Sequence, residues 1–179
     1  MLLLCTFLGP VLTVDADAFL GIPLSAPSIG HLFGTNGQGQ DVLAQTLVGG
    51  QRTLTVAFIT GALTVVVGAL VGGIGGYLGG WVDDAVTLLI NVFLLLPGLP
   101  LMVVLAAWLP PGPVTMTAVL VVTGWAWHAR VLRSQVATLA GRDWVAAAVV
   151  SGESDLRILV VEILPNMASL MGSSFIGAT

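Results

Sequence analysis

Few residues of this 179-residue chain have the types and spacing for covalent or redox chemistry. His31 and His128 are too few and too separated for a metal site or a general-base network. Cys5 is the single cysteine, so neither an internal disulfide nor a thiolate cluster can form. No G-x-S-x-G run sets a serine on a nucleophile elbow. The chain has no lysine, and a Walker A loop needs one to reach the β- and γ-phosphates. Nucleic-acid binding needs clustered cations, yet five arginines face nine carboxylates, for a net charge of −4. Catalysis, metal binding and nucleic-acid binding therefore have no support in these residues.

What remains is the chemistry of packing and charge in an apolar medium. Hydrophobic residues make up 56% of the chain and charged ones 8%. A soluble domain carries roughly 25% charged residues. The mean hydropathy of +1.04 agrees, so an integral membrane protein is expected. Glycines at 61, 68, 72, 76 and 80 include a run spaced every four residues. On a helix that run makes a flat stripe for close approach of another backbone. Gly68, Gly72 and Gly76 are its centre, with helix packing as the plain reading and a pore lining as the other. Asn91, Pro97 and Pro100 share one apolar stretch. Proline in a membrane helix bends the axis and frees carbonyls, which is tolerated beside protein or a water-filled cavity. A simple kink is the plain reading, and a translocation path beside Asn91 and Pro97 is the other. Glu162 is expected at the inner membrane boundary, and Asp83 and Asp84 as solvated turn carboxylates.

The elements that must position these residues are membrane spans, each needing about 20 apolar residues. Residues 1–14 read as the remainder of a truncated first span. Residues 15–51 form a polar extracytoplasmic segment with turn chemistry, in which Asp41 caps a short helix ending near Gly49-Gly50. Thr53 to Leu78 is the second span, followed by a turn over residues 79–84. Ala85 to Trp108 is the third, Val114 to about Leu132 the fourth, and Pro165 to Thr179 the start of a fifth. Four arginines, at 130, 133, 142 and 157, lie between spans four and five. The positive-inside rule puts that loop in the cytoplasm. An all-α, polytopic membrane protein with about five transmembrane helices is the expected fold.

The cytoplasmic stretch from Asp143 to Asn166 resembles the EAA loop of binding-protein-dependent ABC importer permeases. Ala147, Ala148, Gly152, Leu164 and Pro165 match that pattern at its spacing. Ala146 stands in the place of its glutamate, and Glu162 in the column of its isoleucine. The outer run His31 to Val42 resembles a signature of C-type subunits in the dipeptide, oligopeptide and nickel group. His31, Gly34, Thr35, Gly39, Asp41 and Val42 match there, while Asn36 and Gln40 depart from it. The turn from Gly75 to Asp83 and the pair Gly124-Trp125 also look like that group, so the resemblance covers about residues 28–168.

It implies an importer permease fold over residues 52–179, lacking its sixth span and part of its fifth, in the bacterial inner membrane. It implies a cytoplasmic coupling loop over 133–164, with a short coupling helix seated on an ATPase. Ala146, Ala147, Ala148 and Gly152 would carry that contact, with Arg142 and Arg157 beside it. A second permease subunit, two cytoplasmic ATPase subunits, an extracytoplasmic binding protein and membrane lipid are the implied partners. ATP and magnesium would sit on the ATPases, and this chain would bind no cofactor. Half of a path for di- or oligopeptides is the function implied. A shortened, non-transporting scaffold for the ATPase or partner permease is the alternative.

Overall fold

The computed structural model describes residues 15–19 and 21–179; the first span expected at residues 1–14 lies outside them. Among the described residues the regular structure is helical, with one isolated bridge between Thr35 and Asp41. The chain divides into two compact units, Met1–Thr55 and Val56–Thr179. The boundary expected at residues 51 and 52 falls inside a helix.

Ahead of its helical end, the described part of the first unit is a polar loop tied by side chains to its own backbone. Asn36 Oδ1 accepts from the amides of Gln38 at 2.8 Å and Gln40 at 3.0 Å, an Asx-type turn. Thr35 Oγ1, buried, accepts the Ser25 amide at 2.9 Å. Gly34 has φ +72°, and a Cβ there would be driven into the Ser25 carbonyl oxygen, which accounts for glycine at this position.

Helix α1 runs unbroken over Val42–Leu78, 37 residues and about 55 Å at 1.5 Å per residue. The separate short helix expected to stop at Gly49-Gly50 is thus the first part of α1. Glycine pairs cost a helix roughly 1 kcal/mol per residue but end it only when a left-handed residue follows. Positive φ occurs instead at Gly79, φ +65°, which ends α1. Helix α2, Gly80–Leu95, begins at the next residue, so most of the expected 79–84 turn is helical. Leu96 and Pro97 are extended, as a proline requires of its predecessor. Helix α3, Gly98–Trp108, leaves α2 at 84°.

Helix α4 covers Pro113–Ala140, 28 residues, with proline at its first position. It continues well past Leu132, so the loop expected from residue 133 starts as helix. Helix α5 is Asp143–Val150. Helix α6, Asp155–Asn166, contains a wide π turn over Ile158–Ile163. There the Leu164 amide donates to the Leu159 carbonyl, five residues back. A 71° bend at Met167 leads into α7, Ala168–Ala178.

By length and composition one described helix, α1, can cross a membrane, or up to three if each bent pair is one span. Four of the five expected spans fall among the described residues. Two of the five rest on broken pairs and one on residues 1–14. In α4 the threonines, Trp125, Trp127, His128 and Arg130 dilute the apolar run.

Two apolar clusters hold the second unit. Leu132 and Val136 of α4 meet Val65, Val145, Ile158 and Ile163 in one. In the other, Ile90 packs with Trp125, Ala126 and Ala129. Phe93 meets Trp125 edge to face there, with ring centroids 5.0 Å apart.

Candidate coupling and translocation site

The short helix α5 is set by its ends. Asp143 in its first turn favours the positive end of the helix dipole. The Arg142 carbonyl accepts from the amides of Val145 at 3.0 Å and Ala146 at 3.2 Å. At the other end Gly152 has φ +81° with open space where a Cβ would stand. Its left-handed turn lets the Glu153 amide return to the Ala148 carbonyl at 3.2 Å.

One face of α5 is anchored, because Val145 is buried in the cluster with Leu132 and Ile158, and Ala148 packs against it. The other face is apolar and exposed through Ala146, Ala147, Val149 and Val150, the last 88% exposed. Arg142 is exposed beside it. Arg157 lies on α6, 3.5 Å from Glu153, with its side chain 64% exposed. The structure therefore brings Arg142, Ala146, Ala147, Ala148 and Gly152 onto one helix and its caps. Arg157 stands one connection away.

The glycine stripe faces α4. A Cβ on Gly68 would lie 2.9 Å from the Ala129 nitrogen, and one on Gly72 3.0 Å from that of Arg133. One on Gly76 would stand 3.1 Å from the Ala137 nitrogen. Asn91 is joined to α4, for its Oδ1 accepts from Arg130 Nη2 at 2.6 Å. Pro97 stands exposed at the break between α2 and α3, apart from the others.

The roles of four residues escape sequence reasoning. Asp83, expected as a solvated carboxylate, lies in the first turn of α2 and pairs with Arg133. Arg130 and Arg133 count as orientation signals in sequence, yet both reach across to α2. The available signal is their i, i+3 spacing on one helix. Tyr77 is the fourth, donating to Asp155 Oδ1 at 3.2 Å. It lines an open apolar cavity of about 200 Å³ with Ile74, Leu156 and Leu159. Among the described residues no group of three metal-ligating side chains assembles.

Apolar helices bent at Pro97 and Met167, a glycine seam and a short exposed helix between longer ones make up an α-helical membrane component. Residues 64–178 match the family described as the binding-protein-dependent transport system inner membrane component, and the chain belongs to that family. It is 33% identical over 150 residues to the oligopeptide transport system permease protein OppC of Mycobacterium tuberculosis. That match covers 83% of this chain and 52% of the relative. It is 34% identical over 140 residues to the dipeptide transport system permease protein DppC of Bacillus subtilis, covering 78% and 44%. The oligopeptide counterpart in B. subtilis is 31% identical over 153 residues, covering 86% and 49%. The chain thus spans about half the length of the curated relatives it matches. It is a multi-pass, all-α component of the bacterial inner membrane.

Proposed function

We propose that the chain is a permease subunit of an ATP-driven importer and forms half of a path for di- or oligopeptides. An extracytoplasmic binding protein delivers the solute, a second permease subunit completes the path, and two cytoplasmic ATPase subunits drive it. ATP and magnesium belong to those subunits, and this chain is non-catalytic. The observation that carries the reading is α5, anchored through Val145 on one face and offering Ala146, Ala147, Val149 and Val150 on the other. An exposed apolar face on a helix between charged ends calls for a protein partner. Small side chains at 146–148 allow that partner to approach closely. Gly152 and the 148–153 hydrogen bond make α5 a discrete unit that a partner can displace as one body.

The test uses Ser151, exposed at the end of α5. In a Cys5→Ser, Ser151→Cys protein co-expressed with ATPase subunits and the second permease, a crosslink to the ATPase that changes with ATP is expected. The assembled complex should take up tri-alanine only with ATP. A folded chain that binds the second permease, but neither crosslinks nor supports uptake, is instead the non-transporting scaffold. Ala146, where the resembling pattern has glutamate, is the feature that favours that second reading.

A further inference from the structure

Two polar bonds connect α2 to α4 at positions far apart in sequence. Arg133 Nη1 pairs with Asp83 Oδ1, their side chains 25% and 30% exposed. Arg130 Nη2 donates to Asn91 Oδ1 at 2.6 Å. The order is reversed along the two helices, 83 with 133 and 91 with 130, so α2 and α4 cross antiparallel. Beside these bonds Ile90 packs with Trp125, Ala126 and Ala129. On another side of the same stretch of α4, Gly72 and Gly76 of α1 press against Ala129 and Arg133 backbone. Removing one member of a half-buried ion pair leaves an uncompensated charge, which costs more than the pair is worth. The Asp83–Arg133 bond ties the first turn of α2 to α4.

Helix α4 continues without a break from Arg133 to Ala140, and only Gly141 and Arg142 separate it from α5. Past α2 lie two extended residues, Leu96 and Pro97, and the 84° break to α3. We propose that Asp83, Asn91, Arg130 and Arg133 are positioning residues that make α2 and α4 one body. A displacement of α5 is then delivered to the broken helix pair, and the motion is taken up at Leu96–Pro97. This rests on the reading of α5 as the point where the ATPase acts.

The test uses the full chain carrying Cys5→Ser, in its assembled complex, with spin labels at exposed positions. One pair, Leu88→Cys with Trp127→Cys, spans α2 and α4. The other, Leu88→Cys with Val103→Cys, spans the break. Between the nucleotide-free and ATP–vanadate states the first distance stays fixed and the second changes. Asp83→Asn frees the first distance and lowers tri-alanine moved per ATP hydrolysed at least tenfold. The exchange Asp83→Arg with Arg133→Asp restores both, and Arg130→Gln gives a smaller effect of the same kind.

In the chain alone in lipid nanodiscs, Asp83→Asn broadens the Leu88–Trp127 distance distribution whether or not transport is observed. A first distance that moves with nucleotide in the unsubstituted complex overturns the proposal. So does a fixed, narrow distance in Asp83→Asn, or a loss of assembled complex with uptake per complex retained, which is the mark of a mere brace. Failure of the transport reading looks different: no ATP-driven uptake by the unsubstituted complex.

Discussion

At the scale of single residues, Asp41 does two jobs ahead of α1. Its Oδ1 accepts the Ala44 amide at 2.9 Å, and its Oδ2 lies 2.8 Å from His31 Nδ1. The Ala44 amide above all, then the His31 contact, holds its carboxyl below the ordinary value of 3.8, against the opposing effect of burial. A depressed folded value means that the stabilisation is present above pH 3.8 and lost as pH falls through the lower folded value. The Ala44 amide resonance should therefore show an acid transition that lies below pH 3.8. Asp41→Ala should cost about 1 kcal/mol of helix-end stability and abolish that acid transition. The cap was legible in sequence, because an aspartate before an apolar helical run is a local signal. The partners of Asp83, Arg130 and Arg133 were not, because they lie 39 and 50 residues away and no local pattern encodes them.

At the scale of elements, the glycine spacing from 68 to 76 describes a surface that another backbone must meet, and α4 is that backbone. A leucine at 72 would be forced into the Ala129 carbonyl and the Arg133 amide. Backbone cannot withdraw as a side chain can, so overpacking of about 1–3 kcal/mol or more is expected. Gly72→Leu should lower the yield of folded protein several-fold in a detergent extraction assay. Gly172→Leu, where a Cβ meets nothing within 4 Å, should leave it unchanged. The family resemblance over 147–165 implied a short helix, and the structure has one at Asp143–Val150 with a left-handed turn at Gly152, since both are set by neighbours in sequence. Helix ends at Gly49-Gly50 and Leu132 were misplaced for a different reason. Small and polar residues weaken a helix only slightly, and continuing the hydrogen-bond ladder outweighs that cost.

At the scale of the whole molecule, charge decides orientation where apolarity decides only that the chain enters a membrane. By the positive-inside rule the four arginines from 130 to 157 predict α5 on the cytoplasmic side and the 109–113 connection on the other. With Cys5→Ser as background, Ser151→Cys should react with a membrane-impermeant maleimide only in inside-out vesicles. Gly112→Cys should react only in right-side-out cells. Labelling of both from one side would reverse this topology. The number of crossings was only partly legible. Pro97 and the bend at Met167 turn single apolar runs into broken pairs, and hydropathy is blind to such angles. The wide turn over Ile158–Ile163 carries one residue more than an α-turn needs. Deleting one residue there would let the ladder close normally and would rotate all that follows by about 100°. Pro165 and the whole of α7 would then face new neighbours. In this stretch chain length is itself a structural variable, and a gap of one residue would act more severely than any substitution within it.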